Sequence, residues 1–174
     1  MNYWNLIKVK FTKEYQDGTL KRVTEPYLLS AMSFTEAEAR IYKEVGEFVR
    51  GEFVVKSISK QDIADIFHYP DADVWYKSKV VYISEDADTG KEKKANNVYM
   101  VSAHSVDEAE QRIVESLKGL MVEYDILKIE KTGIIEIFPY DPEQKMQSGE
   151  MKTDIVEITM NDGPFYGKKE DESE

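Results

Sequence analysis

The twelve residues SAMSFTEAEARI, at positions 30–41, occur a second time in nearly the same form as SAHSVDEAEQRI, at positions 102–113. Extending the comparison outward at an offset of 71 or 72 residues aligns 60 positions, of which 22 are identical. The one-residue changes of offset lie in a turn and after a helix, where insertions are tolerated. The sequence therefore predicts an internal duplication, with repeat one at residues 1–72 and repeat two at residues 73–143.

The repeated stretch predicts the start of a helix. Ser33 and Glu36, like Ser105 and Glu108, have the spacing of a capping box. In that motif the serine hydroxyl accepts from the third helical amide and the glutamate reaches back to the serine amide. An apolar stripe at helical spacing follows in each repeat, formed by Phe34, Ala37, Ile41, Val45 and Phe48 and by Val106, Ala109, Ile113, Leu117 and Leu120. Capping and solvation therefore explain the repeated glutamates without a catalytic role.

Strands are predicted on both sides of each helix. Ile7, Val9 and Phe11 alternate with charged residues, and Asp17-Gly18 is a strong hairpin turn. After the helix, residues 53–69 and 124–140 share Ile, Lys, Ile-Phe and Tyr at matching places. Each of these segments is either one bulged strand or two strands. The pattern also leaves open whether the two repeats share one sheet or face each other.

The predicted fold class is α+β, with two β-β-α-β or β-β-α-β-β repeats, antiparallel sheets, one helix per repeat and pseudo-twofold symmetry. Residues 144–163 are predicted to form a linker and an extra C-terminal strand, because apolar and polar residues alternate over positions 154–160. The end of the chain, residues 164–174, is predicted to be a disordered acidic tail.

The charge and cysteine content limit the possible functions. The net charge of −11 disfavours general binding to duplex DNA, and the absence of cysteine excludes disulfides and thiolate metal sites. Lys8 and Lys10 interrupt the apolar N-terminus, so it does not have the pattern of a signal peptide. No apolar run approaches the roughly 18 residues of a membrane span. We therefore expect a cytoplasmic protein without a membrane partner.

The sequence predicts no catalytic residue, no cofactor and no metal. Phosphate-binding glycine loops and hydrolase motifs are absent from it. His68, Asp71 and Asp73 lie close together in the chain, but His68 aligns with a proline and His104 with a methionine in the other repeat. The loop that begins at Asp86 lacks the glycine at the sixth position and the glutamate at the twelfth position that a calcium loop needs.

A candidate binding surface is repeated in the first strand of each half. Trp4 and Lys8 are matched by Trp75 and Lys79, and strand alternation places each pair on the sheet face opposite the neighbouring valine. Aromatic and basic side chains on one face are typical of single-stranded nucleic acid binding. The alternative is that each Trp packs against the other repeat while the Lys remains in water. The matched Tyr69 and Tyr140 complete the candidate set.

The N-terminal 42 residues resemble domain-of-unknown-function family 4494, a bacterial and phage family. The resemblance rests on Trp4, the Asp17-Gly18 turn, the KRVTEPY run at residues 21–27 and the SFTEAEA run at residues 33–39, and it extends to about residue 160. It implies no catalytic residues, and its phage context implies an accessory or nucleic-acid role.

Two functional hypotheses follow. The first is a non-enzymatic binding module with a protein partner, or one that self-associates through sheet edges. The second is an accessory protein that binds single-stranded nucleic acid through the strand Trp and Lys residues, with the acidic tail as a regulator.

Overall fold

The structure is a computed structural model that describes residues 1–140 and 142. The predicted linker, extra strand and acidic tail lie outside the described residues. Residues 1–140 form one compact unit. Repeat one contains β1 (Tyr3–Glu14), β2 (Leu20–Ala31), α1 (Phe34–Gly46), β3 (Phe53–Gln61) and β4 (Asp65–Phe67). Repeat two contains β5 (Trp75–Glu85), β6 (Glu92–Ser102), α2 (Val106–Ser116), β7 (Glu123–Lys131) and β8 (Ile137–Phe138).

The α+β class and the duplication are confirmed by this order, because both repeats run β-β-α-β-β. The first two strands of each repeat form a long antiparallel hairpin. Its turn depends on a glycine with a positive φ, Gly18 at 78° or Gly90 at 64°, which side chains disfavour. None of the described helices is long and apolar enough to cross a membrane.

Both helices have the predicted serine as their N-cap, but in both the bond of the glutamate differs from that of the predicted capping box. The amide of Glu36 donates to Ser33 Oγ at 3.1 Å, and the amide of Glu108 donates to Ser105 Oγ at 3.2 Å. Each glutamate carboxylate, however, accepts from the amide one residue before the serine: Met32 at 2.7 Å and His104 at 2.6 Å. The glutamate therefore secures the last link between strand and helix.

The predicted helix stripes are buried at their centres and exposed at their ends. Ala37, Ile41 and Val45 are fully buried in repeat one. Ala109 and Ile113 are fully buried in repeat two, with Leu117 nearly so. The outer members of the stripes are about half exposed, so each apolar stripe is longer than the buried face of its helix: Phe34, Phe48, Val106 and Leu120. Phe34 and Val106 are the first residues of their helices. Phe48 and Leu120 follow the helix ends, where helical periodicity no longer decides burial.

The fold contains two four-stranded sheets that exchange their last strands. The strand order is β3-β1-β2-β8 in one sheet and β4-β6-β5-β7 in the other. Thus β4 of repeat one runs parallel to β6 of repeat two, and β8 of repeat two runs parallel to β2 of repeat one. We call β4 and β8 the exchanged strands. Each segment that follows a helix therefore contains two strands that belong to different sheets. The repeats do not share one sheet, because each sheet takes three strands from one repeat and one strand from the other.

Three apolar clusters hold this arrangement together. One lies between α1 and its sheet, around Ile41, and another lies between α2 and its sheet, around Ile113. The third joins the repeats through the opposite face of each sheet, which we call the second face. It is centred on Leu28, Trp75 and Met100, and its partly buried members are Trp4, Ile63, Ile66, Ile134 and Ile137. Burial of this cluster favours a single folding unit, because its members come from both repeats.

Candidate functional site

A groove of about 580 Å³ lies where the two repeats meet, and we call it the axial groove. Most of its lining consists of residues that occupy equivalent positions in the two repeats, 71 residues apart. The equivalent pairs are Trp4 and Trp75, Asp65 and Glu136, Ile66 and Ile137, and His68 and Pro139. Ala72, Asp73 and Ile135 complete the lining. The groove therefore follows the approximate twofold relation between the repeats.

The exchanged strands bring these residues together. Trp4 and Trp75 stand near the starts of β1 and β5 on the second face of each sheet, away from the helices. Asp65 begins β4 and Glu136 immediately precedes β8, so the exchange carries both carboxylates to the junction. The amide of Leu28 donates to the Glu136 carbonyl at 3.1 Å, which fixes the entry of β8.

The residues between the repeats make the axial groove unequal. His68 replaces the equivalent Pro139, and its ring centroid lies 5.5 Å from that of Trp75 at a tilt of 31°. Ala72 and Asp73 come from the segment that joins β4 to β5. The groove thus has one ionisable ring that has no counterpart in the other half.

The axial groove is acidic. Asp65, Asp73 and Glu136 are exposed, and no described lysine or arginine lines the groove or forms an ion pair with them. Two indole rings and isoleucine side chains supply apolar surface beside these carboxylates. Such a combination suits a positively charged group on an apolar stem, since aromatic rings attract cations and carboxylates neutralise them.

The structure brings together only part of the candidate binding set. Trp4 and Trp75 both line the axial groove, but Trp75 is only 7% exposed and packs between Leu28 and Met100. Lys8 and Lys79 are exposed four residues further along β1 and β5, and neither lines the groove. The neighbouring Val9 and Val80 are fully buried on the helix side of the sheets. The Trp residues pack where the repeats meet, as the alternative interpretation expected.

Tyr69 is held mainly by packing and hydrogen bonds. Its amide donates to Ser102 Oγ at 2.7 Å, and its hydroxyl lies 3.2 Å from Ser116 Oγ. The guanidinium carbon of Arg112 lies 4.3 Å from the centre of its ring. Its counterpart Tyr140 is half-buried, and neither tyrosine lines the axial groove.

A second cluster of ionisable groups joins repeat one to the start of α2. Ligand-type atoms of Asp71, His104 and Glu108 lie within 4.8 Å of one another. The His104 ring lies 2.8 Å from Glu108 Oε2 through Nδ1 and 2.8 Å from the Asp71 carbonyl through Nε2. Arg112 donates to Asp71 Oδ2 at 2.6 Å and to Glu108 Oε1 at 2.9 Å. The polar atoms of this cluster therefore bind one another, and Arg112 pairs with both carboxylates.

The electrostatics of this cluster are mutually stabilising. The hydrogen bond to Glu108 raises the pKa of His104, and the bond to the Asp71 carbonyl adds to it. The pKa of Asp71 is lowered first by its hydrogen bond from Arg112. The pKa of Glu108 is lowered first by the bond from the His104 amide. Each shift favours the charged form of its group, which is typical of a structural ion network.

Sequence reasoning missed the groove's acidic pair. Asp65 and Glu136 are aligned in the two repeats, and both are acidic, but they are not identical. A search for chemically similar positions, in addition to identical ones, would have found them. It would not have placed them together, because their proximity depends on the strand exchange.

Comparison with known proteins finds one family. A family model described as "Domain of unknown function (DUF4494)" matches residues 3–140. No curated protein and no solved structure matches the chain.

Proposed function

We propose, for a chain that belongs to the DUF4494 family of domains of unknown function, the role of a non-enzymatic interaction module. Its ligand is a positively charged segment of a partner protein, bound in the axial groove. The observation that carries this proposal is the lining of that groove: two tryptophans and three exposed carboxylates, with no lysine or arginine among the described lining residues. The setting we propose is the cytoplasm of a bacterial or phage-infected cell.

The groove has a suitable size and chemistry for one or two side chains. Its volume of about 580 Å³ lies within the range of ligand sites, roughly 300–1,000 Å³. The aliphatic stem of a lysine or arginine can lie along Trp4 and the isoleucines while its charged end reaches a carboxylate. A partner protein fits better than a second copy of this chain, since a copy with a net charge of −11 is repelled overall.

The described ionisable groups support binding rather than catalysis. His104 belongs to the cluster around Arg112, and both of its ring nitrogens already have hydrogen-bond partners. A general base needs a free nitrogen or oxygen within reach of the substrate proton. The second histidine, His68, lies against Trp75 in the groove, where it shapes one wall.

Tryptophan fluorescence tests the proposal. Peptides of equal length that carry lysine, glutamate or only neutral residues are titrated at low and moderate salt. We expect only the lysine peptide to shift the emission, with an affinity that falls as salt rises. Replacing Trp4 by Phe should remove most of the signal while preserving the fold. Equal responses to the lysine and neutral peptides, or none to either, would contradict the proposal.

The second candidate function is binding of single-stranded nucleic acid. It is supported by exposed Lys8 and Lys79 on the second faces of the two sheets, beside partly exposed Trp4. A titration with an oligonucleotide separates the two functions. Strong, salt-sensitive quenching that is lost in a Lys8→Gln/Lys79→Gln variant would support nucleic acid binding, whereas the lysine peptide should be unaffected by that variant.

A further inference from the structure

We infer that the occupant of the axial groove presents two cationic groups, one to each repeat. This inference rests on the proposed function and specifies its ligand. It follows from the way the groove is built, since Ile66 and Ile137 are an equivalent apolar pair and Asp65 and Glu136 an equivalent acidic pair. A site with paired walls offers two similar places for the same chemical group.

The acidic pair provides the two places. Asp65 and Glu136 are 71 residues apart, both are exposed, and each stands at the start of an exchanged strand. Neither carboxylate forms an ion pair with any described residue. A ligand with one positive charge neutralises one carboxylate and leaves the other unpaired. A ligand with two positive charges satisfies both, with only one loss of translational freedom.

The apolar pair supports an extended connection between the two charges. Ile66 and Ile137 lie directly after the two carboxylates, and Trp4 and Trp75 lie with them in the cluster between the repeats. A stem that joins two cationic ends can therefore pass over apolar surface. In an extended peptide, side chains two residues apart point to the same side, so two basic residues at positions i and i+2 meet this requirement.

The unpaired residues of the groove give the ligand a direction. Asp73 adds a third carboxylate from the segment that joins the repeats, and His68 stands where repeat two has Pro139, so neither has a like counterpart in the groove lining. A ligand with two different cationic ends is therefore bound preferentially in one orientation. The partner we infer is a protein segment with two basic side chains on one side.

The test compares otherwise neutral peptides that carry one lysine, two lysines at i and i+2, or two lysines at i and i+4. Affinity is measured from tryptophan emission at constant ionic strength. We expect at least one dicationic peptide to bind about tenfold more tightly than the monocationic peptide. Asp65→Asn and Glu136→Gln should each remove most of this advantage, and the double variant should remove all of it.

A matched control separates a specific effect from general attraction to an acidic protein. Glu38 and Glu110 are exposed, equivalent positions on the two helices, away from the groove. Replacing both by Gln changes the net charge by the same amount as the groove variant and should preserve the advantage of the dicationic peptide. Loss of that advantage in the control would overturn the inference.

The remaining outcomes distinguish the two levels of the proposal. Equal affinity for monocationic and dicationic peptides would overturn the inference and leave the proposed function standing. Sensitivity to Asp65→Asn but not to Glu136→Gln would do the same. Failure of every lysine peptide to bind would overturn the proposed function and this inference together.

Discussion

The two repeats use the same arginine in different ways. Arg40 and Arg112 are equivalent positions on α1 and α2, and each donates to the carbonyl of an equivalent serine, Ser30 or Ser102. Arg40 then donates to the carbonyl of Pro139 at 3.0 Å, beside the exchanged strand of repeat two. Arg112 instead binds the carboxylates of Asp71 and Glu108 and covers the ring of Tyr69.

The difference shows what a duplication preserves and what a connection can add. Both arginines secure the end of the other repeat's exchanged strand, so the geometry is common to both halves. Among the described residues, Arg112 receives a carboxylate, Asp71, from the segment after the exchanged strand, whereas Arg40 pairs with Glu44 of its own helix at 3.7 Å. A guanidinium–carboxylate bond carries charge on both partners and can be stronger than the bond of a guanidinium to a neutral carbonyl. We therefore expect the contacts of Arg112 to stabilise the fold more than those of Arg40.

The largest effects test whether the repeats unfold together. Ile41 and Ile113 are equivalent and both fully buried, so replacing either by Ala should reduce the free energy of unfolding by about 3 kcal/mol. Calorimetry should show a single transition in both variants, because each sheet contains a strand of the other repeat. Two separate transitions in either variant would show that the halves are independent.

A smaller effect tests the two arginines directly. Arg112→Ala should lower the melting temperature more than Arg40→Ala, because it leaves the Asp71 and Glu108 carboxylates without their shared donor. The gap between the two variants should narrow when both are measured in an Asp71→Asn background, as in a double-mutant cycle. An equal loss from both arginines in the original protein would contradict the comparison.

The smallest expected effect is the pH dependence of the stability that His104 contributes in the cluster around Arg112. The pKa of His104 is raised above its ordinary value of 6.5 in the folded protein, so its stabilising contribution is fully present below 6.5. That contribution is lost as pH rises through the folded pKa. His104→Met installs the residue found at the equivalent position 32 and should remove this dependence.

Thermal unfolding between about pH 5 and pH 9 measures the effect of His104. At lower pH both proteins should lose stability, since the pKa values of Asp71 and Glu108 are lowered and these groups stabilise only when charged. The variant should lose less, because the His104 side chain contributes to both lowered pKa values. If the His104→Met variant keeps the pH dependence of the original protein, then His104 is not the cause of that dependence.

The local elements could be predicted from the sequence because they depend on neighbouring residues. Asp17-Gly18 predicts the first hairpin, and Ser33 and Ser105 predict the helix starts. The exchange of β4 and β8 could not be predicted. Ile66-Phe67 and Ile137-Phe138 indicate burial, but an apolar pair carries no information about which sheet it joins. The same limit applies to the axial groove, whose paired walls exist only after that exchange.

The exchange also sets an order on folding during synthesis. β4 ends at Phe67, but its partner strand β6 begins only at Glu92, so β4, the last strand of repeat one, must wait in the unpaired state. The first sheet remains incomplete until Ile137 and Phe138 have left the ribosome. Neither half can therefore finish folding before nearly all of residues 1–138 are made. The growing chain carries two unfinished sheet edges for most of its synthesis, which is when such edges are open to pairing with the wrong strand.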